Sequence, residues 1–279
     1  MRSTKPTAQQ SATGSTISPA APSSIQSTTQ PAQIAARQLG RADLNRLFQH
    51  WAAVMSAEKT KLTDLDSVVG DGDLGLTMSD GFAAAYQAIQ ASRESDIGRL
   101  VYTAGKAMST AVPSTMGTLM ASGLMQVGKA FKGQSTITAA EFGRFFSAYF
   151  EGVKARGKAE LGEKTFLDGL YPALSVLHSA SNDMDWALLA QQAYAGAQQG
   201  ALATQQMLAV HGRAAGHGEK SRHLLDPGAY VAKLLLAGYA KFVDELNDSD
   251  PNYSDPNHSE QSPSDPARSY PNDSIEQVN

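Results

Sequence analysis

Thr138-Ala-Ala-Glu-Phe-Gly-Arg-Phe-Phe-Ser-Ala-Tyr-Phe-Glu-Gly-Val153 is the stretch that decides the fold class. Thr138 and Glu141 have the pattern of a capping box, in which a hydroxyl and a carboxylate accept hydrogen bonds from free amides at a helix start. The large apolar residues that follow recur every three to four positions, which is the period of one helix face. They are Phe142, Phe145, Phe146, Tyr149 and Val153. The stretch therefore predicts an amphipathic helix.

The same period recurs on both sides of this stretch. Leu44, Leu47 and Trp51 follow it near one end of the chain's middle part, and Met78 and Phe82 follow it in the next predicted helix. No segment alternates between apolar and polar residues over the length of a strand. We therefore predict an all-α domain of about eight helices. The predicted helices span residues 41–60, 76–92, 97–110, 115–131, 138–156, 164–181, 183–209 and 228–246.

The two ends of the chain differ in composition from this middle part. Residues 1–40 are rich in Ser, Thr, Gln, Ala and Pro and contain no acidic residue, whereas residues 247–279 are acidic and repeat Ser-Asp-Pro and Pro-Asn units. Both contain too few apolar residues to offset the entropy cost of ordering the chain, so we predict a disordered tail at each end. A transit peptide is an alternative for residues 1–40, because such peptides also lack acids.

Composition excludes several classes of function. The formal net charge is -4, and much of the negative charge lies in the acidic tail, so we expect no nucleic-acid binding. The absence of cysteine excludes disulfides, thiolate metal sites and cysteine nucleophiles. No apolar run reaches the ~18–20 residues of a membrane span. We expect a cytoplasmic protein with no membrane partner.

An acidic, glycine-rich segment separates the first two predicted helices: Leu65-Asp-Ser-Val-Val-Gly-Asp-Gly-Asp-Leu-Gly-Leu-Thr-Met78. The carboxylates of Asp66, Asp71 and Asp73 repel one another unless water or a cation lies between them. The glycines permit a tight turn that directs all three inward. A few carboxylates with open positions suit Mg²⁺ that is completed by phosphate oxygens, and the free amides of the following helix favour phosphate. The segment therefore predicts a magnesium–phosphate site.

Three other interpretations of this segment compete with the magnesium site. An EF-hand loop that starts at Asp71 would need glycine at position six and glutamate at position twelve, where the chain has Leu76 and Phe82. The glycines match the dinucleotide fingerprint G-x-G-x-x-G, but that motif requires a preceding strand and a parallel sheet. The segment alone leaves a third interpretation open, a solvated acidic loop without a ligand.

Three later segments accompany the aspartates, which have the spacing Asp66-x4-Asp71-x-Asp73. They are residues 157–172 (GKAELGEKTFLDGLYP), Gly212-Arg-Ala and Asp226-Pro-Gly-Ala. Together and in this order, the four segments resemble the nucleotide-binding L subunit of the dihydroxyacetone kinase family, which is also the C-terminal domain of its single-chain members. The resemblance covers residues 41–246 and implies a closed barrel of eight antiparallel helices that binds nucleotide at one end.

The resemblance also implies the contents of the site. Asp66, Asp71 and Asp73 would hold two Mg²⁺ ions, the nucleotide would be ADP or ATP, and no catalytic side chain of this chain is implied. The implied cofactor contacts run along the phosphates, around the adenine and ribose, and over the base. They are Leu74, Gly75, Leu76, Thr77, Thr115, Met116, Gly157, Thr165, Phe166, Arg213, Asp226, Pro227 and Gly228. Asp226-Pro227 also has the pattern of a helix start, with an aspartate N-cap and a first-turn proline.

The phosphate side departs from the family pattern. Leu74 and Thr77 stand where the family has histidine and asparagine, and Pro113-Ser-Thr-Met-Gly117 replaces a loop with two more glycines and a serine. Fewer amides can then approach a phosphate, because proline has no N–H. These departures leave the predicted binding of metal and nucleotide better supported than kinase activity.

We therefore predict the Mg-nucleotide-binding subunit of a kinase for dihydroxyacetone or a related ketose, with the substrate held by a K-type partner subunit. Some family members keep ADP bound and have it rephosphorylated, so a phosphotransferase-system protein is a second expected partner. A homodimer is also expected. The altered phosphate loop favours one alternative, a non-catalytic nucleotide-sensing regulator, and an unrelated helical scaffold is another. His211, His217 and His223 match no common zinc spacing, and we interpret their segment as a nucleotide lid.

Overall fold

A computed structural model describes residues 37–179 and 185–249, so nearly all of both predicted tails lies outside the described residues. The described part contains nine α-helices and no strand, which confirms the all-α prediction. The α-helices are α1 (Arg41–Ala57), α2 (Lys59–Val69), α3 (Leu74–Ala91), α4 (Ile97–Ala111), α5 (Thr115–Ala130), α6 (Phe142–Gly157), α7 (Phe166–His178), α8 (Trp186–Ala203) and α9 (Pro227–Asp248). Three short 3₁₀ helices span Ala139–Glu141, Thr204–Gln206 and Arg213–Ser221.

Eight of these helices form a closed ring. From α3 onward each packs on the next in chain order, and both α3 and α9 pack on α1. Successive connections lie at alternate ends of the ring. For example, the start of α4 lies beside the end of α5, where the Ile97 N–H donates to the Gln134 carbonyl at 2.7 Å. Neighbouring helices are therefore antiparallel, and the expected eight-helix barrel is confirmed. The ninth helix, α2, lies outside the ring and packs chiefly on α3.

The barrel interior is filled by the apolar stripes that the sequence indicates. The whole α6 stripe is buried, and Phe142 lies 4.6 Å from the Tyr239 ring on α9, measured between ring centroids. The buried indole N–H of Trp51 in this core donates to the Leu235 carbonyl at 2.8 Å. Each large side chain buried here contributes about 1.5–3 kcal/mol relative to leaving it in water, which is what holds the ring together.

The predicted helix 41–60 is two helices rather than one. The chain turns at Glu58, and α2 then continues through Asp66, which the sequence had suggested to be part of a loop. Only Leu62 and Val69 are buried on α2, so this helix has no apolar stripe that periodicity could detect. The predicted capping box exists, with the Thr138 N–H donating to Glu141 at 2.9 Å, but it opens a 3₁₀ turn that leads into α6.

Packing continues slightly beyond residues 41–246 at both ends. Leu39 is fully buried and exchanges two backbone hydrogen bonds with Ile137, at 2.8 and 2.9 Å. At the other end, α9 continues to Asp248, and Asn247 is buried. None of the helices in the described ranges is long and apolar enough to cross a membrane.

Candidate functional site

One end of the barrel holds a cleft of about 670 Å³. The first residues of α3, α5, α7 and α9 meet there, together with the last residues of α6. All but three of the predicted site residues line this cleft, although they come from distant parts of the sequence. Those that line it are Asp66, Asp71, Asp73, Leu74, Thr115, Met116, Gly157, Thr165, Phe166, Arg213, Asp226, Pro227 and Gly228.

Gly75, Leu76 and Thr77 are the three predicted residues that do not line the cleft. A Cβ at Gly75 would collide with the Lys59 carbonyl, so this glycine permits close packing of α3 on α2. Leu76 is half exposed, and Thr77 is buried. Successive residues of a helix point about 100° apart, so the first turn of α3 presents Leu74 to the cleft and turns Gly75 and Leu76 away, while Thr77 lies one turn deeper and is buried.

The carboxylates of Asp66, Asp71 and Asp73 form a cluster at the mouth of the cleft, which we call the aspartate triad. One oxygen from each lies within 4.8 Å of the other two. The Leu74 N–H donates to Asp66 Oδ2 at 3.3 Å and orients that carboxylate. A Cβ at Gly70 would lie 2.6 Å from Asp66 Oδ1, so a side chain there would displace the carboxylate.

The aspartate triad offers the oxygen donors that a hard cation such as Mg²⁺ takes. Two oxygens that bind one Mg²⁺ lie at most about 4.2 Å apart, because each Mg–O distance is about 2.1 Å. A spread of up to 4.8 Å therefore suits either two bridged ions or one ion after a small inward movement. Asp73 stands at the N-cap of α3, yet its side chain makes no capping hydrogen bond, so its oxygens are available to a cation.

The charges of the triad are only partly balanced by the protein. The hydrogen bond from Arg213 lowers the pKa of Asp71 below its ordinary value. Partial burial raises the pKa of Asp73, and the nearby charges of Asp71 and Asp66 raise it further. One guanidinium therefore faces three carboxylates, so the cluster keeps a net negative charge that a cation could balance.

The opposite side of the cleft is built from two capped helix starts. Thr165 caps α7, accepting from the Leu167 N–H at 3.2 Å, and Asp226 caps α9, accepting from the Ala229 N–H at 2.7 Å. The two helix starts lie side by side, since a Cβ at Gly228 would be 3.3 Å from the Phe166 nitrogen. Burial raises the pKa of Asp226 to about 7. The predicted helix start at Asp226 is thus confirmed.

Lys164 also lines the cleft and was missed by sequence reasoning, which singled out its neighbour Thr165. Its side chain is 2% exposed, and its ammonium donates to the carbonyls of Thr204 and Leu224, both at 2.5 Å. Burial lowers its pKa. A lysine next to a predicted N-cap gives no sequence signal of burial, because the carbonyls that bind it are 40 and 60 residues away.

Residues 205–223, which we call the lid, pass over one edge of the cleft. Arg213 forms an ion pair with Asp71, and His211 lies 2.6 Å from Glu163. Ala209 and Ala214 form a small apolar cluster with Val69 of α2. Across the described residues, only the aspartate triad groups three or more candidate metal ligands, so His211, His217 and His223 do not converge on one point.

The model of the DAK2 domain matches residues 68–241 of this chain. The chain is 33% identical over 177 residues to the ADP-binding subunit of PEP-dependent dihydroxyacetone kinase 1 from Listeria innocua, covering 63% of this chain and 84% of that protein. It is 30% identical over 192 residues to the corresponding ADP-binding subunit of Escherichia coli K12, covering 68% and 91%.

Longer kinases match over only part of their length. The probable dihydroxyacetone kinase of Dictyostelium discoideum is 28% identical over 196 residues, which is 64% of this chain and 30% of that protein. The crystal structure of the dihydroxyacetone kinase of C. freundii superposes with a TM-score of 0.55 at 23% identity, over 82% of this chain and 38% of that one. This structural likeness supports the fold.

Proposed function

Since this chain belongs to the DAK2 domain family, we propose that it is the magnesium- and nucleotide-binding subunit of a kinase for dihydroxyacetone or a related ketose. The observation that carries the proposal is the aspartate triad, which shares one cleft with the starts of four helices. A helix start offers free amides and the positive end of the helix dipole, both of which bind anions. A polyphosphate bridged to the triad by cations fits both halves of this arrangement.

The inner part of the cleft suits a nucleobase. Leu119, Val153 and Phe166 are among the residues that line the cleft, and they offer apolar surface of the kind that encloses an aromatic ring. Gly157 leaves the approach open, because a Cβ there would lie 3.1 Å from the Leu119 side chain. The subunit relatives carry ADP-binding in their names, and we propose ADP as the resting ligand of this chain.

The chemistry would consist of positioning and charge balance. Bound Mg²⁺ would neutralise the negative charge of the phosphate oxygens. The chain's own residues hold the metal at the aspartate triad, place Arg213 beside it, and cover the nucleotide with the lid. The attacking hydroxyl belongs to the substrate, so the cleft needs no nucleophile of its own.

We further propose that the ketose is held by a separate K-type subunit. The chain covers most of the length of its subunit relatives but only about a third of the length of the single-chain kinases. A related subunit from Lactococcus lactis belongs to a PTS-dependent kinase, which supports a phosphotransferase-system protein as the phosphoryl donor. A cytoplasmic homodimer stays a prediction, and sedimentation of the purified chain would test the dimer.

Titration calorimetry with ADP tests the proposal directly. We expect ADP to bind in the presence of Mg²⁺ and to bind at least tenfold more weakly in excess EDTA, because three carboxylates without a cation repel polyphosphate. Equal affinity under both conditions would contradict the metal bridge. Addition of a K-type subunit and a phosphoryl donor should then start phosphorylation of dihydroxyacetone or a related ketose.

A non-catalytic nucleotide sensor is the second candidate function. Pro113, Met116 and Leu74 line the phosphate side of the cleft, and none has a polar side chain that could contact phosphate. If ADP binds with Mg²⁺ but no combination of partners yields a phosphorylated ketose, the sensor is favoured over the kinase subunit.

A further inference from the structure

The lid leaves and re-enters the fold beside a single side chain. Thr204 precedes the lid and Leu224 follows it, and the ammonium of Lys164 donates to both of their carbonyls at 2.5 Å. The two ends are also linked to each other, because the Asp226 N–H donates to Thr204 Oγ1 at 3.0 Å. One buried lysine therefore closes the base of the loop.

This position is costly for a lysine. The side chain is 2% exposed; burial lowers its pKa, and the nearby charge of Asp226 offsets this effect in part. Removing an ammonium from water costs several kcal/mol unless hydrogen bonds and nearby charge compensate. Its backbone is also left-handed, with φ of 62°, a conformation that is unfavourable for a residue other than glycine. The burial and the two hydrogen bonds to carbonyls together indicate a role for the ammonium at this point.

The contacts at the tip of the lid are of a different kind. Arg213 and Asp71 have side chains that are 57% and 48% exposed. An ion pair this exposed contributes little, because water screens both charges, so it can break and re-form easily. The pair of His211 and Glu163 is also partly open to solvent. The lid is thus fastened at its base by a buried ammonium, and nearer its tip by exposed ion pairs and the small apolar contact of Ala209 and Ala214 with Val69.

The base of the lid adjoins the cleft. Thr165, the residue after Lys164, caps α7, and Asp226, two residues after Leu224, caps α9. Movement of Lys164 would therefore be felt both by the lid and by two helix starts that line the cleft. A hinge at this point can return Arg213 to the aspartate triad each time the lid closes.

We propose that Lys164 is a positioning residue that fastens both ends of the lid, so that the lid opens only at its tip and closes over bound nucleotide in one register. What the lid covers rests on the proposed function, whereas the fastening itself rests on the geometry of the lid alone. Loss of the ammonium should leave the aspartate triad in place and make the lid mobile along its whole length.

Limited proteolysis of the full chain by trypsin tests this fastening. The lid contains Arg213, Lys220 and Arg222 as cleavage sites, and the rate of cutting reports how often the lid is open. In Lys164→Met, which keeps an apolar stem of similar length, we expect lid cleavage at least tenfold faster than in the wild type. Lys164→Gly is a second variant, since glycine accepts the left-handed backbone without strain.

Lys233→Met is the matched control. Lys233 is also a buried lysine, at 7% exposure, but it lies on α9 with its ammonium 4.9 Å from the Tyr230 ring centroid. Its loss should change lid cleavage less than twofold. With Mg²⁺ present, ADP should dissociate at least tenfold faster from Lys164→Met, while Mn²⁺ binding without nucleotide should stay within threefold of the wild type.

Three results would overturn the fastening. They are unchanged lid cleavage in both Lys164 variants, equal acceleration in Lys233→Met, and loss of the whole fold in both Lys164 variants while Lys233→Met folds. The last would make Lys164 a determinant of the entire barrel rather than of the lid. If the wild type binds no ADP, the proposed function fails, but the cleavage rates still decide the role of Lys164.

Discussion

The two sides of the cleft are built in opposite ways. On one side, which we call the acidic wall, the aspartate triad is largely exposed, and its one basic partner within ion-pair distance in the described residues is Arg213. On the other, which we call the capped wall, Lys164, Thr165 and Asp226 are fixed by hydrogen bonds to backbone groups. The protein completes the capped wall by itself. The acidic wall keeps uncompensated negative charge, which under the proposed function a cation from outside would balance.

The pKa values of two aspartates express this difference. Asp71, on the acidic wall, has its pKa lowered by the hydrogen bond from Arg213. Asp226, on the capped wall, has its pKa raised to about 7 because it is buried. The same side-chain type is therefore held as an exposed anion on one wall and pushed toward its neutral form on the other.

Removing one charge from the acidic wall should have the largest effect. We expect Asp71→Asn to weaken Mg²⁺-dependent ADP binding at least a hundredfold in calorimetry, because an amide is a poor substitute for a carboxylate ligand of a hard cation. Asp64→Asn is the control, since Asp64 is an exposed carboxylate on the same helix as Asp66 that does not line the cleft. If both variants bound alike, general negative charge rather than the triad would hold the metal.

The pH dependence of the free energy of unfolding should distinguish the capped wall from the acidic wall. Because folding raises the pKa of Asp226 from 3.8 to about 7, the folded state binds the proton more tightly than the unfolded state does. The stabilisation that comes from this tighter proton binding is fully present below about pH 4 and is lost as pH rises to about 7. Over that range the free energy of unfolding changes by at most about 1.4 kcal/mol per pH unit. Asp226→Asn still offers a capping oxygen and should remove that slope from the free energy of unfolding, measured by urea denaturation between pH 4 and 8.

Asp185→Asn provides the comparison for this measurement. Asp185 caps α8 by accepting from the Ala187 N–H at 2.8 Å. The variant therefore loses a capping carboxylate of the same kind, but outside the cleft. The slope should persist in this control. A wild-type slope that survives in Asp226→Asn would mean that another group carries the pH dependence.

The barrel could be predicted from sequence because its helices carry apolar stripes. Each of the eight predicted helices overlaps an observed one, since residues such as Phe142 and Phe146 recur with the helical period and are buried. The ninth observed helix, α2, has only two buried residues and was not predicted as a separate helix. Its existence changes the site, because Asp66 is held on a helix rather than in a flexible loop.

The site could be predicted only where a short motif carried it. The aspartates and Asp226-Pro227 act within a few residues of the sequence, so their pattern was visible. Lys164 acts through carbonyls 40 and 60 residues away, and no local pattern shows such contacts. The three residues after Leu74 were assigned as cofactor contacts by resemblance, but they do not line the cleft.

Polar side chains on the phosphate side should strengthen the acidic wall. We expect Leu74→His with Met116→Ser to tighten Mg–ADP binding about tenfold in calorimetry, because both positions line the cleft and a hydrogen bond to a charged group contributes about 1.5–3 kcal/mol. Adding Thr77→Asn should bring no further gain and should lower stability, since Thr77 is buried. Leu76→His, at an exposed position outside the cleft, is the control. No tightening would show that this side serves another ligand.

The smallest expected effect comes from the one cation on the acidic wall. Arg213 pairs with Asp71, so a metal that binds Asp71 must compete with the guanidinium or share the carboxylate with it. Since an ion pair this exposed contributes little, Arg213→Gln should raise Mn²⁺ affinity without nucleotide only about two- to threefold. Electron paramagnetic resonance of free Mn²⁺ measures this change. Arg222→Gln, which removes a lid arginine paired with Glu219, should leave the affinity unchanged. A fall in Mn²⁺ affinity in Arg213→Gln would mean that the arginine shapes the aspartate triad for its metal instead of competing for it. The acidic wall would then be organised by the protein as the capped wall is.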